Sequence, residues 1–121
     1  MIIDDKPYMS SLISEDLSRE GHTLACFEDA VAAMDEFPFR MPDIVLLDLY
    51  FKGFENWDTL RSMKARYPDL PVIIFSAYKN FLDDPRIDEA DGYVIKNIYT
   101  GELKNKIQEV LTYKNILERN A

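Results

Sequence analysis

Four apolar residues, Ile44-Val45-Leu46-Leu47, run straight into an aspartate, Asp48, and then another leucine. A continuously apolar run has no solvent face, so it suits a strand in a parallel sheet covered on both sides. Short apolar runs recur along the chain, separated by stretches with helical spacing. Met1-Ile2-Ile3 reads as a strand stub and Thr23 to Phe27 as a second strand. Ile44 to Leu49, Val72 to Phe75 and Tyr93 to Ile95 read as the third, fourth and fifth. A first helix starts at Pro7, carries Met9, Leu12, Ile13 and Leu17, and stops at Gly21. Glu28-Asp29 opens a second, with Val31, Met34 and Phe37 inward. Residues 50–57 read as a loop, and Asp58 to Tyr67 as a helix carrying Leu60 and Met63. The region holding Pro85 predicts a short or irregular fourth helical segment. Thr100 caps a long last helix, about 100–119, with Leu103, Ile107, Val110, Leu111 and Ile116 as its apolar positions. Strands alternating with helices predict an α/β fold: a doubly wound five-stranded parallel sheet with helices on both faces. A length of 121 residues suits a single domain spanning 1–121.

In sheets of this kind functional groups gather at the carboxyl ends of the strands. Strand one ends at Asp4-Asp5, strand three at Asp48, strand four at Ser76 and strand five at Lys96. Three carboxylates, a hydroxyl and an ammonium therefore converge on one edge. Clustered carboxylates repel and need a counter-charge, and Mg²⁺ is the hard cation suited to them. With that charge in place, an aspartate can attack phosphorus while the lysine and hydroxyl bind oxygens of the transferred group.

Charge narrows the partners. Acids outnumber bases 22 to 14, a net charge of −8. Such a surface repels phosphate backbones and anionic lipid, so neither direct nucleic-acid binding nor membrane association is expected. The one cysteine, Cys26, allows no internal disulfide. Without a signal-peptide pattern, a cytoplasmic location is the default expectation.

The ordered set Asp4-Asp5, Asp48, Ser76-Ala77 and Lys96 resembles the receiver domain of two-component response regulators, from Ile2 to about Tyr113. Asp48 follows Asp4 by 44 residues, and Ser76 follows Asp48 by 28. The resemblance implies a flavodoxin-like receiver fold with Asp48 as phosphoacceptor. It implies Mg²⁺ held by Asp4, Asp5, Asp48 and the backbone carbonyl of Tyr50. Ser76 and Lys96 would contact the phosphoryl group, and Tyr93 would be the switch aromatic working with Ser76. The donor would be a sensor histidine kinase or a phosphotransfer protein, and the output an attached domain or a separate effector. A homodimer through the fourth helical segment, fifth strand and last helix is a further implication. No activity beyond self-phosphorylation and autodephosphorylation is expected. Tyr50 and Tyr78, each two residues beyond an active-site group, are expected to shield an acyl phosphate from water.

The chain departs from the family pattern in places. Asn97 follows Lys96 where a proline in a cis peptide is usual, and a trans bond is expected. Lys52 and Asn56 stand where Pro and Gly are common, so Gly53 or Asn56 is expected at positive φ. Two other readings compete. A haloacid-dehalogenase-type phosphatase also uses a nucleophilic Asp, a hydroxyl, a Lys and Mg²⁺, but usually carries a second Asp where Tyr50 stands. A phosphorylation-independent pseudo-receiver would bind partners in one fixed state.

Overall fold

The computed structural model describes residues 1–51, 53–97 and 99–119. Five parallel strands form the main sheet: β1 (Ile2–Ile3), β2 (Cys26–Phe27), β3 (Val45–Leu47), β6 (Val72–Ser76) and β7 (Gly92–Ile95). Their spatial order is β2-β1-β3-β6-β7, with parallel pairing throughout. The order reverses between β1 and β3, and a doubly wound sheet opens a crevice at such a reversal. Asp4, Asp5 and Asp48 lie there.

β1 is a two-residue stub, yet it is gripped on both sides. Ile2 N–H donates to Ala25 O at 2.8 Å and Asp4 N–H to Phe27 O at 2.9 Å. From β3, Leu46 N–H donates to Met1 O at 2.8 Å and Asp48 N–H to Ile3 O at 3.0 Å. These bonds fix the backbone at the first and third strand ends. Side chains alternate across the sheet with period two. Ile2, Leu46, Ile73, Phe75 and Val94 face α1 (Pro7–Arg19) and α4 (Gly101–Arg119), burying Ile13, Leu17, Leu103, Ile107 and Val110. Ile3, Val45, Leu47, Val72 and Ile74 face α2 (Ala30–Glu36) and α3 (Trp57–Arg66), burying Ala33, Leu60 and Met63.

Several expectations need correction. The second strand is only Cys26–Phe27. Val31 does not point inward; it is exposed, and Ala33 and Phe37 take the buried stripe. At about 100° per residue, Val31 sits some 200° round the helix from Ala33. Leu12 and Ile116 are likewise exposed, while Ile13 and Val110 are buried. The helix expected from Asp58 begins at Trp57, whose ring is buried. Within the expected loop 50–57, β4 (Tyr50–Phe51) and β5 (Phe54–Glu55) form an antiparallel hairpin. Asn56 N–H donates to Leu49 O at 2.8 Å and closes its base. Gly53 at φ 84° supplies the left-handed residue that a two-residue connection needs. Asn56 has φ −112°, so it is not the positive-φ position, and Lys52 lies outside the described residues.

The fourth helical region is two 3-10 segments, Asn80–Asp83 and Pro85–Glu89. Pro85 sits where its missing N–H costs nothing, and Asp84 accepts the Arg86 N–H at 2.9 Å. Phe81 and Ile87 anchor the segments in the core. Just ahead of α4, the Thr100 hydroxyl donates to Asp16 of α1, and the Thr100 carbonyl accepts the Lys104 N–H. Among the described residues no peptide is cis, and no helix is long and apolar enough to cross a membrane.

Candidate functional site

Sheet geometry brings five of the anticipated side chains to one edge. Asp4 and Asp48 are buried at the ends of β1 and β3, and Ser76 is fully buried at the end of β6. Asp5 is half-buried beside them. One carboxylate oxygen from each of Asp4, Asp5 and Asp48 lies within 4.8 Å of the others. Lys96, just past β7, drives its ammonium between two of them. Its Nζ donates to Asp4 Oδ2 at 2.6 Å and to Asp48 Oδ2 at 3.0 Å. The Lys96 side chain is only 4% exposed, so these contacts form away from bulk water and are correspondingly strong.

The other carboxylate oxygens are held by backbone. Lys6 N–H donates to Asp4 Oδ1 at 2.9 Å, and Tyr50 N–H to Asp48 Oδ1 at 3.0 Å. Burial pushes the Asp48 carboxyl above the usual carboxylate range, and the Tyr50 N–H and Lys96 pull it part of the way back. Ser76 Oγ accepts the Tyr78 N–H at 3.3 Å. Tyr93, expected as a switch aromatic, lies on the edge strand β7 with its ring half-exposed. It meets Phe81 edge to face at 6.3 Å between ring centres.

Two parts of the site were not anticipated. Lys6 Nζ stands 3.9 Å from Asp48 Oδ2. The signal was present, a lysine directly after an acid pair, but the direction of its side chain is a product of the fold. The second part surrounds Tyr50. Its ring packs on Tyr78 at 4.5 Å between centres. Its hydroxyl lies 2.9 Å from Glu55 Oε1 and 2.8 Å from Asn80 Oδ1, both acceptors for its one proton. Trp57 Nε1 donates to Glu55 Oε2 at 3.0 Å, and the Arg86 guanidinium stacks on the Trp57 ring at 4.7 Å. The hairpin after Asp48, the loop after Ser76 and the second 3-10 segment are thereby tied together.

The three carboxylates fit Mg²⁺. They are hard oxygen donors, close enough to share one ion and packed so that a small divalent cation relieves their repulsion. An all-oxygen set disfavours softer metals.

Comparison with known proteins agrees with this arrangement. The response regulator receiver domain model matches residues 1–108. The response regulator TrrA of Thermotoga maritima, solved in complex with Mg²⁺-BeF, is 28% identical, with a TM-score of 0.83 over 90% of this chain and 95% of TrrA. TrrA in complex with the histidine kinase ThkA matches at 28% identity and a TM-score of 0.82, over 91% of this chain and 95% of that one. The receiver domain of NtrX from Brucella abortus is 26% identical, with a TM-score of 0.82 over 92% of this chain and 96% of that domain. With the acid cluster, the lysine and the sheet order already in place, the match over residues 1–108 shows that this chain belongs to the response regulator receiver domain family.

Proposed function

We propose that the protein accepts a phosphoryl group on Asp48 in a Mg²⁺-dependent reaction and changes its affinity for partners as a result. The observation that carries this reading is the buried Asp48 carboxylate, held by Tyr50 N–H on one oxygen and by Lys96 on the other. A buried carboxylate is costly to keep even when paired, and one at a strand end in a charged crevice is the kind of group that functional sites use. The donor would be a phosphohistidine on a sensor histidine kinase or phosphotransfer protein, in keeping with the kinase complex solved for TrrA. An Asp48 oxygen forms the new bond to phosphorus as the bond from phosphorus to the imidazole nitrogen breaks. The electron pair of that bond stays on the imidazole. Mg²⁺, bound by Asp4, Asp5, Asp48 and the Tyr50 carbonyl, would neutralise the carboxylates and the charge on the transferring oxygens. Lys96 would follow the phosphoryl oxygens, and Ser76 would release the Tyr78 N–H to hydrogen-bond them. That withdrawal would leave room for the exposed Tyr93 ring to move inward.

The signalling face would comprise the two 3-10 segments, β7 and α4, and a homodimer could form through it. The long last helix, about 100–119, would extend as a linker to an output domain. We read the protein as a signalling module that turns over no metabolite.

Incubation with Mg²⁺ and acetyl phosphate, followed by intact-mass measurement, tests the reading. One added phosphoryl group, about 80 Da, is expected. Asp48→Asn and metal-free samples should lack it. No gain, together with no Mg²⁺ binding by calorimetry, would support the pseudo-receiver reading instead.

The Tyr50–Tyr78 contact gives a second expected result. The tilted, contacting rings bridge the two loops beside Asp48 and Ser76, where they would obstruct an attacking water. Replacing both with Ala should shorten the phosphorylated lifetime about tenfold, a barrier lower by about 1.4 kcal/mol. Decay of the added mass with time measures it, and an unchanged lifetime would sink the shielding role.

A further inference from the structure

We propose that Lys6 is a second phosphoryl-binding cation, an exposed one beside the same Asp48 oxygen that the buried Lys96 holds; this rests on Asp48 being the phosphoacceptor. Lys6 sits between β1 and α1 with an extended backbone, φ −108° and ψ 91°. Its N–H is pinned to Asp4 Oδ1 at 2.9 Å, and Pro7 starts the helix immediately after it. The backbone is therefore fixed while the long side chain remains half-exposed and able to swing. Its Nζ is 3.9 Å from Asp48 Oδ2, too far for a hydrogen bond but close enough for an ion pair. No closer ion pair holds Lys6 among the described residues.

Lys96 cannot play this part alone. It is already committed at 2.6 Å to Asp4 and at 3.0 Å to Asp48, with almost no exposure. Of the two lysines beside Asp48, Lys6 is the one open to solvent and so to an incoming donor. Charge shows what Lys6 adds. The three carboxylates and Lys96 leave the site at −2; one divalent cation brings it to neutral. Lys6 makes it cationic when a phosphoryl dianion arrives, and a cationic pocket captures such an anion faster. The same charge opposes the metal. Lys6 should therefore weaken Mg²⁺ binding and strengthen donor capture, two effects of opposite sign.

That opposition separates this role from simple neutralisation of the acid cluster. Wild type is first shown to gain the phosphoryl mass from acetyl phosphate. Lys6→Gln is then compared with it. Mg²⁺ affinity, measured by calorimetry, should rise about threefold to fivefold. At saturating Mg²⁺, the phosphorylation rate per unit acetyl phosphate should fall by a similar factor, and Lys6→Arg should restore it. A Lys6→Gln rate equal to wild type at saturating Mg²⁺ overturns the role of Lys6 while leaving Asp48 as phosphoacceptor. A wild type that gains no mass overturns the reading of Asp48, and the Lys6 inference with it.

Discussion

Lys96→Met is expected to remove about 3 kcal/mol of folding stability, because it strands two buried carboxylates whose main counter-charge is that ammonium. Lys96 touches both Asp4 and Asp48, and all three side chains are at most 4% exposed. The remaining cation nearby, Lys6, is half-exposed and screened by water. A fall of roughly 10 °C in melting temperature should follow. The loss should depend on pH in a definite direction. Burial already raises the Asp48 carboxyl, and removing Lys96 raises it further. A folded-state pKa above the unfolded value means that folding favours the protonated acid. The penalty is therefore largest near neutral pH and shrinks as pH falls through the raised value. Mg²⁺ should recover part of the lost stability, since the variant's carboxylates have gained room for a cation and binding to the folded state alone stabilises it. Melting curves across pH, with and without Mg²⁺, check all three effects. A melting temperature that neither falls nor responds to the metal would mean that these carboxylates are not held as ions.

Phe81→Ala should destabilise the protein by about 3–5 kcal/mol, the usual cost of emptying a buried aromatic site. The ring is 1% exposed and sits in the first 3-10 segment. Such segments have poorer hydrogen-bond geometry than an α-helix, so their position depends on side-chain anchors. Phe81 and Ile87 are the buried anchors of the two segments. The same ring supports Tyr93 from beneath. Denaturant unfolding measures the loss, and amide exchange should quicken more in residues 80–90 than in α1. Leu82→Ala, one residue along and 39% exposed, should change stability by less than about 0.5 kcal/mol. Similar losses at both positions would mean that Phe81 is not the anchor.

The two kinds of prediction rest on features of unequal visibility in the sequence. The central strands β3 and β6 were legible because a parallel sheet buries both faces there, leaving uninterrupted runs such as Val45-Leu46-Leu47. The edge strand β2, expected over Thr23 to Phe27, is shorter because Cys26 is exposed and Phe27 only half-buried, so no such run marks it. The meeting of Asp4, Asp48, Ser76 and Lys96 was legible because strand order alone brings their ends together. Pro85 marked the irregular fourth region, since its ring forbids an interior helical bond. The β4–β5 hairpin was not visible. It has two residues per strand, too few for an alternating pattern, and its base is closed by a bond from Asn56 to Leu49. Val31 was misplaced because an apolar residue at near-helical spacing looks inward until the smaller Ala33 is seen to set the buried face. Lys6 and the Tyr50–Glu55–Trp57 network depend on side-chain directions that pattern does not carry.

The ion pair between Asp4 and Lys96 joins residues 92 positions apart. The two partners come from the first and the last strand of the main sheet in chain order, so the contact exists only while β3 and β6 hold β7 beside the acids. Without β7 the acids of β1 and β3 would keep their places and lose their buried ammonium, leaving an uncompensated negative cleft. The charge balance of the cleft is therefore a property of the whole sheet, and a lesion that displaces β7 alters it at a distance.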